Sequence, residues 1–295
     1  MHKIVDIFAE KEKTFSFEIF PPRKAAGLEP LYATVEALAQ LDPAYVSVTY
    51  GAGGTTAEGT SAIINEVNRR FGVTCMHHLT LVNQTRDELA TIIRQIKADG
   101  IRNILALRGD PPPDMGEQFR KIEGGLQFCY ELIDLIREIG GDYFSIAVAG
   151  FPEGHPDCPS RELDTEHLKI KVDHGAEFVV TQFFFENEIY SEYLERTARA
   201  GINVRIIPGV LSVTDYDKLL TFAAKCGAYI CNAVHDTFTP LRDDPEATVQ
   251  YGKEYALRQC EDLLRRGAPG IHFYCLNRVE PVCTIWREVG KLRQA

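Results

Sequence analysis

Short runs rich in aromatic and β-branched residues alternate along this chain with longer stretches whose apolar positions recur at helical spacing. The extended runs fall at residues 14–20 (TFSFEIF), 45–50 (YVSVTY), 74–81 (TCMHHLTL), 103–109 (NILALRG), 144–151 (FSIAVAGF), 178–185 (FVVTQFFF), 204–211 (VRIIPGVL) and 270–278 (GIHFYCLNR). Helical patterns lie between them at residues 31–39, 57–71, 86–98, 126–139, 163–174, 188–200 and 216–226. Several close on a glycine just before the next strand, a residue that ends a helix at little steric cost. Strict alternation predicts parallel strands joined by crossover helices, and eight repeats fit one closed (βα)8 TIM barrel spanning residues 1–295 as a single domain. The alternative is an open doubly wound sheet, which would carry a GxGxxG turn after its first strand; none is there. The rhythm slips at residues 110–125, a loop rich in proline and glycine, and at 227–269, where helical segments at 229–235 and 245–266 stand in place of one helix. Long loops on a barrel usually mark its working face. A last helix at 282–292 covers the barrel after the eighth strand.

Composition narrows the functional classes. A formal charge of −10 argues against nucleic acid as a partner, though a local basic pocket could still take an anionic small ligand. No apolar run reaches the roughly 20 residues a membrane helix needs, and the N-terminal residues lack a signal core. A cytoplasmic, membrane-free protein is expected. The eight cysteines form no CxxC pair and read as reduced, mostly buried thiols. No HExxH, zinc spacing or Ser-His-Asp order appears, so no metal site or hydrolase is expected.

In a barrel the chemistry belongs at the C-terminal ends of the strands. Glu18 lies inside the apolar first strand, and alternation puts it with Ser16 on the face opposite Phe15, Phe17 and Ile19. That face would be the barrel interior. Desolvation there would favour the neutral, proton-donating form, while a buried ion pair is the competing explanation. Arg108, Gly109 and Asp110 end the fourth strand and read either as an anion clamp or as an ordinary loop. Residues 51–56 (GAGGTT) resemble a phosphate loop but lack the Lys-Ser/Thr of a P-loop. His77 and His78 are adjacent on a strand, so they face opposite sides and cannot share a metal: one is expected to pack and the other to serve a site. No strand carries a lysine at its C-terminal end, which counts against a Schiff-base lyase.

Taken together, FSFEIFPPR, VTYGAGG, HHLT, LRGDPP, FPEGHP, DHGAEFVVTQFFF, IIPGVL and HFYCLNR occur in order, each at a strand or strand end. In this register the chain resembles the catalytic domain of the methylenetetrahydrofolate reductase family, of bacterial type, from about residue 15 to 278. The resemblance implies FAD over the C-terminal strand ends, contacted by Thr49, Tyr50, Ala52, His78, Arg108, Gly109, Asp110, Phe151, His155, Asp164 and Lys171. Phe128, Cys129, Cys158 and His167 are further matches. It implies ping-pong hydride transfer from NAD(P)H through FAD to methylenetetrahydrofolate. Glu18 matches the family's general acid, which protonates the folate nitrogen as the ring opens. Asp110 would hold the pterin beside the flavin. Gln182 would bind folate, Phe222 would stack on substrate or nicotinamide, and Arg278 would meet the tail carboxylates. Phe151 stands where many members have tyrosine, and Lys218 where many have glutamine at a substrate position. Two partner questions stay open on the resemblance: whether the chain forms a homo-oligomer, and whether a partner redox protein replaces NAD(P)H as electron donor. Feedback through the regulatory domain of animal members is not expected.

Overall fold

The computed structural model describes residues 1–50, 57–110 and 119–290. Eight parallel strands close into a barrel in sequence order: β1 (Thr14–Ile19), β2 (Tyr45–Val48), β3 (Cys75–Thr80), β4 (Asn103–Leu107), β5 (Ser145–Gly150), β6 (Phe178–Phe183), β7 (Arg205–Val210) and β8 (Gly270–Tyr274). Closure is made by β1 on β8, with Ser16 opposite His272 and Glu18 opposite Tyr274, which rules out the open sheet. All eight strands lie within their anticipated runs, because strands buried on both faces of a parallel sheet read as short, near-continuous apolar runs.

Helices α2 (Leu28–Ala39), α3 (Ala57–Phe71), α4 (Arg86–Ala98), α5 (Cys129–Gly140), α6 (Arg161–Asp173) and α7 (Asn187–Arg199) wrap the outside. Helix α2 starts three residues earlier than its apolar pattern does, since Pro30 sits in the first turn, where a missing N–H is tolerated. Helix α5 starts later than expected: the Glu131 carboxylate accepts from the N–H groups of Gln127 and Phe128, at 2.6 and 2.8 Å, and fixes the turn there. Between β7 and β8 stand α8 (Tyr216–Cys226), α9 (Asn232–Phe238) and α10 (Pro245–Arg265). Helix α9 begins beyond the expected residue 229 because Tyr229, read as an apolar helix position, is 55% exposed, while Val234 and Phe238 are buried. Helix α11 (Val282–Gly290) follows β8; the expected end at Leu292 lies outside the described residues.

One element was not anticipated. Helix α1 (Ile4–Glu10) closes the N-terminal end of the barrel. Its Ile4 N–H donates to Asn103 Oδ1 at 2.8 Å, and Ile4 packs with Tyr45, Met76, Leu105, Phe178 and Ile207 in an apolar lower layer. Outside the strands, Phe15, Phe17 and Phe273 pack against Trp286. The apolar lower layer leaves the polar inward positions for the upper, C-terminal part. Among the described residues no helix is long and apolar enough to cross a membrane, and no cluster of metal-ligating groups is found.

Candidate active site at the C-terminal mouth

Glu18 is buried near the end of β1, on the interior face that alternation assigns it. His78 Nε2 lies 3.6 Å from its carboxylate and His272 Nε2 lies 4.0 Å away. The Ser16 hydroxyl bonds His272 Nδ1 at 2.7 Å, so a serine, a histidine and a carboxyl run in line up the barrel. Burial pushes both His77 and His78 down to about 4, which makes them neutral at ordinary pH. The two histidines have different surroundings, as adjacent strand residues do. His77 Nδ1 meets the His78 carbonyl at 2.6 Å and its ring leans on Tyr50, whereas His78 Nε2 is buried without a hydrogen-bond partner.

Asp110 is exposed, at the start of the loop that follows β4. The Cys226 thiol, at the end of α8, is pushed up to about 11, first by burial and then by the negative charges of Asp110 and Glu18.

The residues expected around a flavin fall into connected groups. Thr49 is buried and its hydroxyl has no partner; the Tyr50 hydroxyl accepts from Gln84 Nε2 at 2.5 Å. Arg108 pairs with Asp157 at 2.6 Å. Gly109 has φ +86, and a Cβ there would stand 2.7 Å from Val82 Cγ1 and 2.8 Å from Thr80 Cβ, so only glycine fits this backbone path. Phe151 meets the His155 ring edge-on at 4.7 Å, and His155 is pushed down by burial and by the charges of Arg108 and Lys171. On α6, Asp164 and Lys171 lie on one side of the helix; Asp164 is buried, which pushes its carboxyl up against the charges of Lys171 and His167. The Lys171 ammonium donates to Ala149 O at 3.0 Å, and Cys129 Sγ to Ala106 O at 3.2 Å. The Cys158 N–H donates to His155 O at 2.9 Å. His167 is exposed. Phe128 is 52% exposed and stacks on Tyr130. Ala52 lies outside the described residues.

Three of the four residues expected to meet substrate, Lys218, Phe222 and Arg278, line one cavity of about 510 Å³, together with Ser212, Asp215 and Lys225, among others. Phe222 stacks on Phe183 at 5.3 Å. Lys218 is held by Asp215 at 2.6 Å, and the Arg278 charge also reaches Asp215. Gln182, the fourth, is not among the residues lining it: its Oε1 accepts from the adjacent Phe183 N–H at 3.0 Å, at the bulge where β6 shifts register against β7.

Sequence reasoning missed His272, Ser212 and Lys225. His272 carried the same signal as Glu18, a polar residue at an inward position of an apolar strand, but the charged end of that strand drew the reading to Arg278. Ser212 is buried with an unpartnered hydroxyl lining the cavity, which no sequence pattern marks. Lys225 follows Phe222 and Lys218 at helical spacing on α8 and could have been found from the i, i+4, i+7 stripe.

Fold and mouth together define a (βα)8-barrel protein whose titratable and cationic groups converge at the C-terminal strand ends. A family model described as methylenetetrahydrofolate reductase matches residues 3–290, and the chain belongs to that family. It is 38% identical to 5,10-methylenetetrahydrofolate reductase of Escherichia coli K12, over 93% of this chain and 90% of that protein. It is 35% identical to methylenetetrahydrofolate reductase (NADH) 1 of Arabidopsis thaliana over 99% of this chain and 51% of that protein, so it spans about half the length of the plant relative. Among solved structures, a Clostridium thermocellum protein described as binding two copies of 5-methyl-5,6,7,8-tetrahydrofolic acid aligns over 98% of both chains with a TM-score of 0.68. At 14% identity that likeness speaks to the fold alone.

Proposed function

We propose that this chain reduces 5,10-methylenetetrahydrofolate to 5-methyltetrahydrofolate, with FAD held across the mouth and NADH or NADPH as electron donor. The observation that supports this most is a buried carboxyl, Glu18, near the C-terminal end of β1, with His78 Nε2 3.6 Å and His272 Nε2 4.0 Å from it. FAD, when bound, would supply hydride acceptance and donation. The residues present suit it. Arg108 and Lys171 bring charge for a pyrophosphate, Gly109 opens the backbone to close approach, and Thr49 offers a hydroxyl with no protein partner.

The remaining work falls to side chains. Glu18 would hold the proton delivered to the folate nitrogen, with His272, backed by Ser16, and His78 fixing the carboxyl's position. Asp110 would orient the pterin. Phe222 would stack on the flat part of folate or nicotinamide, and Arg278 would meet the tail carboxylates. Gln182 would have to release the Phe183 N–H to reach folate.

The test is anaerobic spectroscopy of the purified protein. A yellow protein should bleach with NADH or NADPH and recover on adding methylenetetrahydrofolate. Glu18→Gln should slow the recovery by about 10²–10⁴-fold, the usual worth of a general acid, and leave the bleaching intact. Equal recovery in the variant would defeat the acid assignment. A flavin that stays oxidised under excess of both nucleotides would move the donor to a partner redox protein, and a colourless protein would remove FAD from the proposal.

A further inference from the structure

The loop after β5 and the turn after α8 meet at one carboxylate. Glu153 Oε2 accepts from the Tyr229 N–H at 2.9 Å. Two residues before Tyr229, Gly227 ends α8 with φ +69, and a Cβ there would stand 2.3 Å from Pro156 Cγ. The two segments thus touch at one point and are hydrogen-bonded at another. The β5 side is braced from behind. Arg196 donates to Pro152 O at 3.0 Å and to Thr165 Oγ1 at 2.9 Å, and Arg161 Nε donates to Glu153 O at 3.2 Å. The α8 side rests on a separate apolar cluster with Leu219, Ala223, Val234 and Phe238, and the Tyr229 side chain is largely in solvent. Glu153 Oε1 is buried without a partner, and burial pushes the carboxyl up although Arg161 and the Tyr229 N–H work the other way. A glutamate with no task would turn that oxygen to water.

We propose that Glu153 is a positioning residue that ties the C-terminal end of α8, and with it Phe222 and Cys226, to the loop carrying Phe151 and His155. The role rests on the reductase reading, which gives Phe222 to the substrate. Without the tie, α8 keeps its N-terminal anchor, where Asp217 accepts from Arg242 Nε at 3.0 Å and Tyr216 stacks on Phe238, and is free to swing at the other end. Folate binding then weakens, while the acid on β1 stays where it was.

Glu153→Ala and Glu153→Gln separate the possibilities in the holoprotein. Amide hydrogen exchange over residues 226–231 and the alkylation rate of Cys226, mapped by mass spectrometry, need no folate chemistry. For Glu153→Ala, both should rise at least about fivefold, local opening having become easier. KM for methylenetetrahydrofolate should rise about tenfold with kcat within about twofold, the loss of one charge-assisted hydrogen bond outside the chemistry. Glu153→Gln, whose amide oxygen accepts the same N–H, should restore all of these. Unchanged exchange and alkylation in the alanine variant would overturn the tie, whatever the activity. Faster exchange with an unchanged KM, or a glutamine variant that behaves like alanine, would overturn the positioning role. Parent protein without folate turnover would defeat the reductase reading and leave the exchange result to judge the tie. Should Glu153→Ala fail to fold, Gly227→Ala forces the same two segments apart with Glu153 intact and must give the same pattern.

Discussion

His77 and His78 show how much a single buried residue type can dictate. Unfolded, each titrates near 6.5; folded, burial holds both near 4, and for His78 this desolvation outweighs the attraction of Glu18. Between those values the unfolded chain takes up protons that the folded chain refuses. The stability that depends on these two rings staying neutral is therefore full above about pH 6.5 and falls as pH drops toward 4, by about 3 kcal/mol per histidine over the window. His78→Gln should flatten the fall by about one proton, read from urea midpoints across pH 4 to 6.5. A variant whose curve runs parallel to the parent's would mean that His78 is already solvated or charged in the fold. At this scale Glu18 was legible because a charge inside an apolar strand breaks the pattern around it. The Glu153–Tyr229 contact was not, because it joins loops 76 positions apart, and loop pairing leaves no periodicity in sequence.

Elements at the two ends of the barrel carry different duties, and Arg205 lets them be told apart. It starts β7 at the lower end, where its guanidinium donates to Phe8 O and Lys11 O at 3.2 Å and to Pro269 O at 2.6 Å, also bonds Glu12 O, and lies over the Phe8 ring at 4.5 Å. One side chain thus holds the C-terminal end of α1 against the barrel floor. Arg205→Met should cost about 2–4 kcal/mol by stranding several carbonyls, seen as a lower urea midpoint. Flavin absorbance and KM should stay as in the parent, since the mouth is at the other end. Loss of the cofactor at unchanged global stability would contradict this division. The same helix explains where reading from sequence stopped. Strand positions follow from alternation within a few residues, so the barrel could be read directly. Helix α1 is seven residues long and buries only Ile4 fully, and its partners Asn103 and Arg205 come from distant strands. Nothing local marks it as a helix; tertiary contacts make it one.

Over the whole molecule two electrostatic effects oppose each other. The chain carries a formal −10, which repels an anionic substrate, while Lys218, Lys225 and Arg278 line the cavity it would enter. Distance decides between them. With charge spread over the molecule at a mean of about 20 Å and a Debye length near 10 Å, the repulsion amounts to about 0.3 kcal/mol per ligand charge. A carboxylate about 4 Å from Arg278 gains roughly 1–4 kcal/mol, less what solvent screening removes at an exposed arginine. Lys218 adds less, because Asp215 already holds it at 2.6 Å. Local attraction wins, and added salt weakens it more than it relieves the distant repulsion. KM for a folate with an anionic tail should therefore rise several-fold as NaCl goes from about 50 to 500 mM, while flavin absorbance shows the cofactor still bound. Arg278→Ala should raise KM at low salt and flatten its salt dependence. A KM that falls with salt would mean that the net charge governs approach, and the cations of the cavity would then need another role.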